Sequence, residues 1–141
     1  MELTDALYSS MVKRGAIFIS GAFKHIDHPK FFLVMGENEA QEVGYFYINS
    51  NVNRYVAANP ERMAMQMYIK HDGYPDFLKH GSFIGAHELT TIPKNELTAR
   101  LKSGAAAYRG ELTPDDLDRL LLAVRSSKLF TDEEKEIVFK L

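Results

Sequence analysis

The stretch FFLVMGENEAQEVGYFYI, Phe31–Ile48, decides how the chain is read. Two short runs of aromatic and β-branched residues, Phe31–Met35 and Val43–Ile48, flank the polar, glycine-containing GENEAQE. Side chains of this kind suit a pleated, packed surface, and a polar break between two such runs reads as antiparallel neighbours joined by a connection. Toward the N-terminus, AIFISGAF (Ala16–Phe23) has the same texture and is set apart by KHIDHPK, so the three runs predict a β-meander.

Further along, MAMQMYIK alternates in period two and predicts a strand with Met63, Met65 and Met67 on one face, packing a core. HDGYPD is a turn. SFIGAHELTTIPK then reads as a long strand from Ser82 to Ile92, stopped by Pro93. Regular alternation there sends His87, Leu89 and Thr91 to one face and Glu88 and Thr90 to the other.

The two ends are helical. Thr4-Asp5 caps a first helix through about Lys13, ended by Gly15. After Pro93, KNELTARLKSG spaces Leu97 and Leu101 by one turn and closes on Gly104. Thr113 as N-cap, Pro114 behind it and Asp115-Asp116 in the first turn start a strong helix, with Leu117, Leu120, Leu121 and Val124 as its buried stripe. Thr131 and Glu134 form a capping box for a last helix. The expectation is an α+β fold: about five short, mainly antiparallel strands in a small, partly open barrel, a short N-terminal helix, and helices gathered at the C-terminal end.

Composition narrows the function. The 141 residues are 45% apolar and 26% charged with a net charge of −2, an ordinary globular balance without a global basic field. No repeat or Gly/Ser/Pro-rich linker divides the chain, which reads as a single domain over residues 1–141. With no cysteine, a disulfide scaffold, a thiolate metal site and a cysteine nucleophile are excluded together. MELTDALYSSMVKRG lacks the basic region and apolar run of a signal peptide, and no apolar segment approaches membrane-spanning length. The expectation is a cytoplasmic protein with no membrane partner. There is no G-x-S-x-G, Walker loop or Rossmann fingerprint, and no cofactor is implied.

Taken in order, the blocks resemble a known family. KRGAIFI (Lys13–Ile19) resembles the RGDIW opening strand of the MazF/PemK toxins, of the CcdB/Kid-type superfamily, which are growth-inhibitory ribonucleases of toxin–antitoxin pairs. HPKFFLVMGEN (His28–Asn38) resembles their second strand, SFIGAHELTTIPKNEL their DQ.R strand with the helix that follows, and GELTPDDLDRLLLAV their closing helix. The resemblance runs from Lys13 to about Phe130 and implies an SH3-like barrel, usually a homodimer, neutralised by an antitoxin protein. It also implies metal-independent cleavage of single-stranded RNA, in which the ribose 2′-oxygen attacks the adjacent phosphate and leaves a 2′,3′-cyclic phosphate. Such chemistry needs a base, an acid, and donors on the phosphorane.

The chain departs from the family where the chemistry sits. The family's Arg before the second-strand Pro is His28 here, and the Asp, Gln and Arg of DQ.R are His87, Glu88 and Thr90. Histidine titrates near neutrality, so His28 and His87 are the candidate acid–base pair, with Glu88 orienting an imidazole. Lys30 and Arg54 are candidates to hold phosphate, and Ser50, Asn51, Glu88 and Thr90 to contact substrate. Lys24, Lys70 and Lys79 extend the basic set, and Phe23, Tyr55 or Tyr74 would stack bases. The residues leave two other readings open: a non-catalytic barrel that binds nucleic acid or protein, and a metal-dependent hydrolase using His25, Asp27 and His28 of the HIDH loop, although that spacing matches no zinc signature.

Overall fold

The computed structural model describes residues 3–21, 28–137 and 140; Phe23, Lys24, His25 and Asp27 lie outside them. Strands β1 (Ala16–Ser20), β2 (Lys30–Glu37) and β3 (Glu42–Asn49) form the antiparallel meander that the three apolar runs predict, with Ile17 opposite Leu33 and Leu33 opposite Phe46. Their runs are continuous rather than alternating because both faces are covered. One face carries Ile17, Leu33, Met35, Phe46 and Ile48 into a core with Leu120, Val124 and Phe130. The other carries Ala16, Phe18, Phe32, Val34, Val43 and Tyr45 against Leu97 and Leu101.

Helix α5 (Pro114–Ser126) lies on the first face and α4 (Lys94–Ser103) with α1 (Leu3–Met11) on the second; α6 (Asp132–Ile137) follows α5 in the chain. Helix α1 starts at Leu3 and stops at Met11, so Thr4 and Asp5, expected as its cap, lie within it and it ends short of Lys13; the expected caps of the other three helices form. Thr113 accepts from the Asp116 amide, Gly104 takes φ 83° to close α4, and Thr131 and Glu134 cap each other at 2.9 and 3.0 Å. On α5, Leu120 and Val124 are fully buried, each contributing about 1.5–3 kcal/mol by area alone. Leu117 and Leu121 pack half-buried at the margin of that core.

Elsewhere the chain differs from its sequence pattern. The segment expected as one strand from Ser82 to Ile92 is two, β5 (Ser82–Gly85) and β6 (Thr90–Pro93), lying along the same edge of β3: Ile48 faces Ile84, and Tyr45 faces Thr90. Between them the chain turns at Ala86-His87, where the Ala86 amide donates to the Met65 carbonyl at 3.1 Å. The alternation drawn through His87 and Glu88 is therefore interrupted at the ionisable pair itself.

The expected methionine strand begins later than its pattern suggests. Met63 ends a one-turn helix, α3 (Pro60–Met63), and is 41% exposed; only the strand β4 (Gln66–Ile69) joins the sheet. Asn53 and Asn59 cap α2 (Arg54–Ala57) and α3 through their side chains, so the polar stretch expected as loop is partly helical. A further strand, β7 (Ala106–Glu111), pairs with β1. The result is a seven-stranded antiparallel sheet in the order β4-β5-β3-β2-β1-β7, with β6 also on β3. It does not close into a barrel, since β4 and β7 are its edges. Among the described residues, no helix is long and apolar enough to cross a membrane.

Candidate functional site

The β2–β3 register brings the first residue of β2 beside the last of β3, because Phe31 faces Ile48. Lys30 Nζ accordingly donates to Asn49 Oδ1 and lies 5.8 Å from the centroid of the Tyr47 ring. Burial pushes the Lys30 ammonium below its usual pKa. Beyond Asn49 the chain leaves the sheet through Ser50, Asn51 and Val52, and Asn53 Oδ1 accepts the Tyr55 and Val56 amides to start α2. Asn53 is thereby committed as a cap, and the turn is anchored beside the Lys30 end of the sheet.

His87 arrives from the break between β5 and β6. Its ring lies against Gly85, where a Cβ would sit 3.3 Å from His87 Cε1 and 3.3 Å from Asn49 Nδ2, so the glycine makes room for both. Gln66, the first residue of β4, pairs with Gly85 and places its Nε2 2.8 Å from His87 Nδ1. Burial chiefly lowers the His87 pKa; the Arg62 guanidinium pushes the same way and Glu88 opposes both.

These groups open into one cleft of about 430 Å³. His28, Lys30, Ser50, Asn51 and His87, all candidates from the sequence, line it together, with Asn49, Asn53 and Gln66. Among the described residues that line it, none is an aspartate or glutamate. The chemistry on offer is one ammonium, two imidazoles, a hydroxyl and several amides, a donor-rich set suited to an anion.

The remaining candidates are placed elsewhere. Arg54, exposed at the start of α2, Glu88, exposed in the β5–β6 break, and Thr90 in β6 do not line the cleft. The His87 Nδ1 partner is Gln66, where the sequence suggested Glu88 for that task. Lys70 and Lys79 are exposed outside the cleft. Tyr74 is no stacking platform: it is 3% exposed, and its hydroxyl donates to Asp116 Oδ2 at 2.7 Å and accepts from the Thr113 amide. Burial pushes its pKa up to about 12. Tyr55 is 78% exposed on α2, next to the cleft-lining Val56. Of the HIDH loop only His28 is described, and among the described residues no three His, Asp or Glu side chains are grouped to hold a metal.

Sequence reasoning missed Gln66, Asn49 and Gly85. In the sequence Gln66 is one letter of an alternating run, and its partner lies 21 residues away. No family model matches the chain, and no curated protein matches it.

Proposed function

We propose that the cleft binds single-stranded RNA and that the chain is a MazF/PemK-like endoribonuclease, cutting without metal through a 2′,3′-cyclic phosphate. One observation carries this reading: side chains singled out in the sequence for RNA chemistry, His28, Lys30, Ser50, Asn51 and His87, line a single cleft whose described residues include no carboxylate. An SH3-like ancestry of the sheet, a homodimer and an antitoxin partner belong to the same proposal.

The chemistry fits those groups. The 2′-hydroxyl loses its proton to a base as its oxygen bonds to phosphorus, and the bond to the 5′-oxygen breaks as that oxygen gains a proton. His28 and His87 are the groups for base and donor. Lys30 adds positive charge where the phosphorane becomes more anionic, in a site partly shielded from water. The asparagine amides would read base edges and Tyr55 would stack a base beside the cleft.

A second reading is favoured by one contact. The hydrogen bond between His87 Nδ1 and Gln66 occupies one ring nitrogen that acid–base work would use, which suits a barrel-derived module that binds RNA without cutting it.

The deciding experiment incubates the purified chain with end-labelled single-stranded RNA. Products ending in a 2′,3′-cyclic phosphate are expected, and His28→Ala and His87→Ala should each slow cleavage by ~10²–10⁴-fold. Cleavage untouched by both substitutions would reject the histidine mechanism. Tight binding without any cleavage would move the assignment to the binding module.

A further inference from the structure

We infer that Gln66 is a positioning residue that fixes His87 as a neutral imidazole with its hydrogen on Nε2. The two hydrogens of one side-chain NH₂ decide it. Gln66 Nε2 donates to the Arg62 carbonyl at 3.1 Å, and that carbonyl can only accept. It thereby sets which way the amide faces: turning it over would put Gln66 Oε1 against the Arg62 oxygen. The other hydrogen of the same NH₂ points to His87 Nδ1 at 2.8 Å. Nδ1 must then accept, and a neutral ring that accepts at Nδ1 carries its proton at Nε2.

The surroundings push the same way. The ring is half-buried against Gly85, and of the two charged groups acting on it, the Arg62 guanidinium disfavours a second positive charge while Glu88 favours one. Protonating Nδ1 would set N–H against N–H, so the imidazolium forms only by giving up the Gln66 bond.

The consequence for catalysis rests on the RNA reading of this cleft. A neutral His87 with hydrogen on Nε2 donates a hydrogen bond to a phosphoryl oxygen and is a poor base; the 2′-hydroxyl proton therefore goes to His28, and His87 gives the 5′-oxygen its proton only once it has charged and let go of Gln66. Gln66 acts on that step only through His87.

The test reads the ring directly and does not depend on RNA. In the full chain labelled with ¹⁵N-histidine, the His87 resonances at neutral pH should show an unprotonated Nδ1 and a protonated Nε2. Gln66→Glu, close in shape but able only to accept, should move the hydrogen to Nδ1 and raise the pH at which the ring charges. Gln66→Leu should leave a mixture of tautomers. A wild-type ring protonated at Nδ1 would overturn the inference without any variant, as would a tautomer and titration identical in wild type and Gln66→Glu. Failure of the RNA assay alone would leave the tautomer result standing.

Discussion

Two clefts of this molecule differ in what their charges do. The larger, about 570 Å³, lies between α1, α4 and the β2–β3 connection, and its cations are already matched: Lys94 to Glu37 at 3.1 Å and Lys102 to Asp5 at 2.7 Å. The smaller, at the Lys30 end of the β2–β3 pair, shows no carboxylate among its described residues, and Lys30 is held by the neutral amide of Asn49. Volume alone would select the first. An anionic ligand would have to break ion pairs there, whereas in the second it meets the Lys30 ammonium held by a neutral amide. Charge balance, more than size, separates a groove whose cations are already matched from one suited to an anion.

The largest expected effect tests this contrast. Lys30→Met should weaken single-stranded RNA binding by on the order of 10-fold or more, since a hydrogen bond to a charged group contributes about 1.5–3 kcal/mol and about 1.4 kcal/mol is a factor of ten. It should also flatten the salt dependence by about 0.7 in log–log slope, one phosphate contact fewer on a single strand. Lys94→Met, on the matched cleft, should change affinity within about twofold, because exposed ion pairs contribute only ~0–1 kcal/mol. Fluorescence anisotropy across a salt series reads both, and equal losses would erase the distinction between the clefts.

A smaller effect lies in folding. His87 has a lowered pKa in the folded chain, so below the ordinary histidine value of about 6.5 the unfolded state takes up the proton first. Stability should therefore be constant above that value and fall as pH drops from there toward the folded pKa. Urea midpoints compared between near-neutral and mildly acidic pH should show a drop in wild type that is reduced in His87→Gln. A drop of equal size in both would place its origin elsewhere.

How far the sequence could be read follows the range of the forces involved. The meander and the capped helices depend on neighbours within a few residues: the apolar runs of β1 to β3, and the Thr113 and Thr131 caps. Strand β7 escaped because only Ala106 along it is buried, and an edge strand of small and polar residues has no alternation to detect. Helices α2 and α3 are four residues each, too short for periodicity, and their signal was the pair of capping asparagines read as loop. Closure into a barrel depends on how edges meet, which no local pattern encodes. At the candidate site the chemistry-bearing letters were legible, because histidine and lysine in polar surroundings stand out. Their supports were not: Gln66 reaches His87 across 21 residues, and Gly85 matters for the atoms it lacks. Glu88 drew notice as a neighbour in sequence, yet the strand break that separates its role from that of His87 is a tertiary event, with the Ala86 amide bonded to Met65.

On the reading proposed here, RNA sits in the cleft lined by Lys30, Asn49 and His87. Titrating the ¹⁵N-labelled chain with a short single-stranded oligoribonucleotide and following each backbone amide tests it most directly. Saturable shifts are expected at Asn49, Ser50, Asn51, Gln66 and His87, with Asp5, Lys94 and Lys102 unmoved. Shifts confined to the α1–α4 cleft, or none at any RNA concentration, would contradict it.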